Sequence, residues 1–409
     1  MSDQQVPVAV VFNTEGQRVL NSPLVKIYRM TVFERTLKSL QAAGIQKIII
    51  IGGKNQSNFA EIIDRKGPWQ AEIELRDKRG DIPDDDILFL SEPLLITPRY
   101  IKEIIEAGDL GIVVATDPNN YVVYIPEKIR KSITDFTSNL NTTIKDLEAS
   151  GFKRVIAQSI GRYVCEPIPD KSSRDKAIGR LIRSLRQPSD EFISRTFNRP
   201  ISLFITRFLG HTPVTANQYT IFTGILGLIT AFIFSLGGDK NFLIGGIMFH
   251  LLAVLDAGDG EIARLKFLAS ERGQWIDTIV DNITYVATLL GLVIGVYRSD
   301  PSDLVVYSSI AGVIFSILAL VSLYVYLLKY NRGGSLLNID YDFKENTGWY
   351  GKVMNVLQEL GRRPFFSITF MFLGIFGVME YSLVYISIIT FFVFVYSIRA
   401  HIRIIGQKG

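Results

Sequence analysis

The chain has 409 residues, a formal charge of +4, 48% hydrophobic residues and a mean hydropathy of +0.24, which is too apolar for a purely soluble protein of this length. No basic run is interleaved with aromatics, so nucleic acid is excluded as a partner. The single cysteine, Cys165, excludes an intrachain disulfide or a thiolate metal site, and reads as a small buried apolar residue. The start, MSDQQ, lacks the basic opening and cleavage site of a secretory signal, so the first half is expected to stay on the side where it is made.

Residues 1 to about 190 have an ordinary soluble composition. Val8 to Phe12 and Lys47 to Ile51 read as buried strands, and Thr31 to Ala43 between them has helical spacing, a β-α-β signature. Further β-rich stretches at Ile87 to Leu90, Leu110 to Ala115 and Tyr121 to Ile125 extend it to a three-layer α/β domain over residues 1–167. Its opening, Phe12-Asn-Thr-Glu-Gly16-Gln-Arg18 followed by Pro23-Leu-Val-Lys26, resembles the nucleotide-binding signature of sugar-nucleotide and cytidylyl transferases. The resemblance implies a loop that wraps a triphosphate. Thr14 replaces the first glycine of that loop, and Ser91-Glu92-Pro93 stands where the family has a metal-binding Asp. A structural or regulatory relic is the expectation, with Glu92 as the stand-in if nucleotide still binds.

Residues 168–212 form a basic linker in which Arg174, Arg180, Arg183, Arg195 and Arg207 alternate with Leu181, Ile201, Phe204 and Phe208. Directly before the first apolar span, this pattern suits an amphipathic helix in the lipid headgroup layer. Six spans are predicted after it, at 214–236, 242–265, 276–297, 303–328, 364–380 and 382–400. The gaps on one face hold Lys266, Arg272, Lys329, Arg332, Lys344, Lys352, Arg362 and Arg363, against Lys240 and Arg298 on the other. That bias puts both termini and the α/β domain in the cytoplasm of a multi-pass cell-membrane protein.

Four carboxylates stand out in these spans. Asp256 and Asp259 are three apart and Asp277 and Asp281 four apart, so each pair shares a helix face, and the bend between them lets the faces meet. Buried acids cost on the order of 3 kcal/mol each at a bilayer centre. Two divalent cations, Mg²⁺ or Mn²⁺, would cancel four charges with an all-oxygen ligand set, and such a centre suits phosphoryl transfer. Gly260 and Ala263 leave room for a nucleotide or for helix packing, and Arg264 pairs either with a phosphate or with an acid.

Residues 256–281 fit D-x2-D-G-x2-A-R-x8-G-x3-D-x3-D at every defined position, the signature of the CDP-alcohol phosphotransferases, which residues 213–409 resemble. The resemblance implies Asp256, Asp259 and Asp277 as metal ligands, and Asp281 as general base that also touches a metal. It implies a nucleotide pocket of Asn217, Thr220, Asp259, Gly260, Ala263, Arg264 and Gly273, transfer from a CDP-alcohol donor to an alcohol acceptor with release of CMP, and a homodimer. The whole layout is similar to the bifunctional inositol-phosphate cytidylyltransferase/di-myo-inositol-phosphate phosphate synthases, so an alternative has the first domain making the CDP-alcohol.

Arg362 and Arg363 read as membrane anchors, or as ligands for an acceptor's phosphate. His211, His250 and His401 share no ligand spacing, and Tyr324, Tyr326, Trp349, Tyr381 and Tyr385 read as interfacial aromatics. A cation transporter is the remote alternative, since intramembrane acids also mark ion paths, but no internal repeat is evident.

Overall fold

The computed structural model describes residues 8–12, 22–52, 55–76, 83, 85–107, 112–114, 122–127, 154–156, 164–166, 168, 171–187, 193–330 and 360–406. The chain divides into two compact units, Met1–Leu185 and Arg186–Gly409.

The first unit is an α/β layer structure. In chain order it contains β1 (Val8–Phe12), the hairpin β2 (Lys26–Ile27) and β3 (Met30–Thr31), α1 (Val32–Ala42), β4 (Lys47–Ile51), α2 (Gln56–Lys66), β5 (Glu72–Arg76), β6 (Ile87–Leu90) and β7 (Leu95–Ile96). There follow α3 (Pro98–Ala107), β8 (Ile112–Val114), β9 (Val122–Ile125), β10 (Arg154–Ile156), β11 (Cys165–Glu166) and α4 (Lys171–Ser184). Seven strands pair in the order β10-β8-β9-β6-β1-β4-β5. β1 is parallel to both neighbours, and only β9 runs antiparallel to the strands beside it. Both faces of the central strands are covered, which is why β1, β4 and β6 are continuous apolar runs instead of alternating ones. On one face Phe33, Leu37 and Leu40 of α1 pack against Ala9, Val11, Ile48, Ile50 and Leu88. The triphosphate-loop residues Thr14, Gly16 and Arg18 lie outside the described residues. Cys165 is half-buried at the edge of this core rather than fully buried, because it sits on the short two-stranded pairing of β11 with β7.

The second unit is helical. A π-helical turn (Ser194–Asn198) leads into α5 (Arg199–Leu209), followed by α6 (Ala216–Ser235), α7 (Asp239–Leu255), α8 (Gly258–Lys266), α9 (Glu271–Ser299), α10 (Asp303–Tyr330), α11 (Arg363–Phe376) and α12 (Tyr381–Gly406). Among the described residues five stretches are long and apolar enough to cross a bilayer: α6, α7 with α8, α9, most of α10 and most of α12. Their large side chains point outward in number, among them Ile225, Phe232, Ile314 and Val321, an apolar surface suited to lipid. The protein is therefore a multi-pass membrane protein. The predicted fifth span is a 14-residue helix, α11, ended by Gly377 in a left-handed conformation (φ 67°). The predicted second span is two helices, interrupted at Asp256 and Ala257.

Small residues set the helix pairs. A Cβ on Gly291 or Gly295 of α9 would meet the carbonyl oxygen of Ala231 or Phe234 of α6, and one on Gly227 would meet the Thr284 side chain at 2.6 Å. α7 and α11 approach similarly, with the position of a Gly374 Cβ 2.7 Å from the carbonyl oxygen of Phe242. α10 and α12 are joined by Ser387 Oγ donating to the Ser308 carbonyl at 2.6 Å and Ser397 Oγ to Ser322 Oγ at 2.8 Å.

Candidate active site

The site forms where α7 stops. The Tyr219 hydroxyl on α6 donates to the carbonyl of Leu255 at 3.1 Å, satisfying an acceptor that the broken helix leaves open. The same ring explains Gly258, where a Cβ would stand 2.6 Å from it. Asp256 thus sits in the break and Asp259 in the first turn of α8. α8 ends at Phe267, in a left-handed conformation (φ 55°), and Ser270 caps α9 by accepting from the Gly273 backbone at 3.0 Å. This reversal brings Asp277 and Asp281 of α9 back beside the first pair.

All four carboxylates are half-buried and interact with one another: Asp256 with Asp259 and Asp281, and Asp277 with all three. Three are held by protein donors. Thr220 Oγ1 donates to Asp259 Oδ2 at 3.0 Å, and the Gly260 backbone donates to Asp259 Oδ1. Arg363 Nη1, at the start of α11, donates to Asp256 and, at 2.9 Å, to Asp281 Oδ1. The guanidinium also lies over the Tyr285 ring, 5.1 Å from its centroid, and its Nε is buried with no hydrogen-bond partner among the described residues.

Asn217 Oδ1 would lie 3.3 Å from a Cβ on Gly273, and Arg264 folds back with Nη1 3.1 Å from the Cβ position of Gly260. Thr220 and Gly260 thus touch Asp259 directly, Asn217 lies beside Gly273, and Ala263 and Arg264 follow on α8. Arg362 is the residue before α11. His250 pairs with Ser367 Oγ at 3.1 Å, in keeping with a structural histidine. Two of the tyrosines read as interfacial also have partners: Tyr324 accepts from Asn282 Nδ2 at 2.8 Å, and the Tyr385 hydroxyl donates to the Leu360 carbonyl. Trp349 lies outside the described residues.

Among the described residues no three His, Cys, Asp or Glu side chains stand as a ready metal cage. The donor set still fits hard divalent cations, because four carboxylates share one location and supply only oxygen ligands. In the first unit Glu92 is partly buried, and burial pushes its carboxyl up to about 7.

Residues 213–395 match the family model described as CDP-alcohol phosphatidyltransferase, and this part of the chain is a CDP-alcohol phosphatidyltransferase domain. The protein is a membrane enzyme, a CDP-alcohol phosphotransferase. It is 23% identical over 310 residues, 66% of this chain and 71% of the other, to the "Bifunctional IPC transferase and DIPP synthase" of Aquifex aeolicus. The protein of the same name from Thermococcus kodakarensis is 36% identical over 102 residues, 25% of this chain and 22% of its own length. The "Archaetidylinositol phosphate synthase" of Pyrococcus horikoshii is 31% identical over 91 residues, 22% of this chain and 47% of its own.

The sequence reading missed two features of the site. Local sequence marks Arg363 only as an anchor or acceptor ligand, because its contacts with Asp256 and Asp281 span 107 and 82 residues. Glu261 lies inside the motif at an undefined position, and its partners Arg199, Ser202 and Thr206 are 55 to 62 residues away, beyond any local pattern.

Proposed function

We propose that the acid cluster of the second unit is the catalytic centre. The acceptor oxygen attacks the phosphorus bound to the donor's alcohol, the bond from that phosphorus to the bridging oxygen breaks, and CMP leaves with that oxygen. Asp281 takes the hydroxyl proton, and Asp256, Asp259 and Asp277, with Asp281, would hold two divalent cations. Bound cations supply neutralisation of the diphosphate. Thr220 keeps Asp259 oriented, and Asn217, Gly260, Ala263, Arg264 and Gly273 line the nucleotide side. Arg363, with Arg362 beside it, binds the acceptor's phosphate once it leaves the acids, its unpartnered Nε supporting that role.

The observation that carries this reading is the convergence of four interacting carboxylates from two chain segments, one of each pair, Asp256 and Asp281, sharing the Arg363 guanidinium. The test is CMP release by the purified chain with Mg²⁺ and CDP-alcohols, each paired with serine, glycerol phosphate, inositol or inositol phosphate. No release from any pair would sink it.

A cavity of about 340 Å³ favours a substrate carrying a hydrocarbon chain. Leu289, Leu320, Phe370 and Ile389 line it, and Arg363, which holds Asp281, forms part of its wall. Faster turnover of CDP-diacylglycerol than of CDP-inositol would support that substrate class, and the reverse would remove it. We further propose six crossings, with α11 as a short one, both termini cytoplasmic, residues 168–212 as a linker whose α5 lies at the lipid surface, and a homodimer. The first unit is read as a nucleotidyltransferase-like domain that has lost turnover. Pyrophosphate release from CTP and inositol phosphate would instead make the chain bifunctional, a reading its similarity to the Aquifex aeolicus protein supports.

A further inference from the structure

Glu261 is fully buried (0% exposed), two residues after Asp259. Its carboxylate accepts from Arg199 Nη1 at 2.8 Å and Ser202 Oγ at 2.7 Å on one oxygen, and from Thr206 Oγ1 at 2.7 Å on the other. The three donors fall three and four residues apart on α5, so a single stripe of that helix is devoted to one acid on α8. The opposite stripe, Ile201, Phe204 and Phe208, is exposed. One residue before α5, at the end of the π-helical turn, buried Asn198 donates through Nδ2 to the carbonyl of Ala253 at 3.4 Å, three residues before Asp256. π turns inside helices often mark functional places.

The segment from Asn198 to Thr206 thus grips the acid-bearing chain on both sides of its break at Asp256 and Ala257. Helical hydrogen bonding does not carry the direction of α7 across that break to α8, so contacts from outside the two helices set how they meet and where they present Asp256 and Asp259. An apolar pair of similar size would hold α5 to α8 about as firmly as a buried ion pair, and what the charged set adds is one fixed register. We infer that Glu261, with Arg199, Ser202, Thr206 and Asn198, is a positioning device that sets Asp256 and Asp259 and ties their placement to the seating of α5. The inference rests on the assignment of those two acids as working groups.

The test uses the full chain purified in detergent, as Arg199→Met/Glu261→Leu, which leaves no unpaired buried charge, and as Glu261→Gln, which keeps the volume and one acceptor. Three readouts are taken: thermal midpoint, affinity for Mn²⁺ alone by electron paramagnetic resonance, and CMP release with CDP-diacylglycerol or CDP-inositol and inositol phosphate. The double variant is expected to keep the parent's midpoint, to bind Mn²⁺ about tenfold more weakly, and to lose kcat on the order of 10²-fold while the donor KM stays nearly constant, as misplacement by about 1 Å would do. Glu261→Gln should fall between the two, and it decides if the double variant does not fold. Parent-like Mn²⁺ affinity and kcat in a folded variant, or losses that only track a falling midpoint, would overturn the inference. If the parent chain itself releases no CMP, the reaction assignment fails, and the Mn²⁺ measurement alone decides the positioning role.

Discussion

Arg363 Nη1 donates to Asp281 Oδ1 at 2.9 Å across 82 residues of sequence, and the same nitrogen donates to Asp256. Replacing it by Met leaves the half-buried carboxylates with one charge fewer to balance them, a loss of roughly 1–3 kcal/mol once solvent screening is allowed for. An Arg363→Met variant should therefore melt well below the parent in chelator and recover most of the difference in millimolar Mg²⁺. Equal midpoints with and without Mg²⁺ would refute the counter-charge role.

The two ends of the acid cluster should fail differently. Asp259 is fixed by Thr220, so Asp259→Asn removes an oriented ligand and should weaken Mn²⁺ binding at least tenfold. Asp281→Asn should keep most of that binding and lose CMP release by about 10²-fold or more, as loss of a proton acceptor does. Full turnover in either variant would remove its assigned role.

The α6/α9 contact leaves no space for a methyl group at Gly295, whose Cβ would strike the carbonyl oxygen of Phe234. Gly295→Ala should cost roughly 1–3 kcal/mol and displace the helix that carries Asp277 and Asp281. Gly312→Ala on α10 is the control, because its nearest neighbour is the Ser387 hydroxyl at 3.1 Å. A larger midpoint loss for Gly312→Ala would contradict this account.

Glu92 gives the first unit a pH dependence. Its carboxyl is raised from the ordinary 4.5 to about 7 by burial, so the unfolded chain releases the proton first as pH rises. Stability falls through the window between those values, with the penalty complete above about 7 and, after solvent screening, on the order of 2 kcal/mol. Glu92→Gln should match the parent at pH 4.5 and exceed it at pH 8 in thermal unfolding. A parent transition that does not move between those pH values, relative to the variant, would be the opposing result.

Much of the site was legible because its acids obey helical spacing within 26 residues, and hydropathy marks the spans wherever apolar residues run unbroken. The break after Leu255 was not legible: Asp256-Ala-Gly-Asp259 has acceptable helical spacing, and only Tyr219 of another helix capturing the Leu255 carbonyl shows why the helix can stop there. The same holds for α11, where continuous hydropathy past Phe376 hid the left-handed turn at Gly377. In the first unit the strands β1, β4 and β6 announced themselves as apolar runs, but their order depends on pairings between distant segments that no local pattern encodes.

A membrane protein that brings along its own positive group for a nest of acids can finish assembling in lipid before any ion arrives. Arg363, paired with Asp256 and Asp281, is such a group in this chain. Scarcity of divalent ions would then leave an intact but dormant enzyme, ready to be recharged, instead of a misassembled one to be degraded.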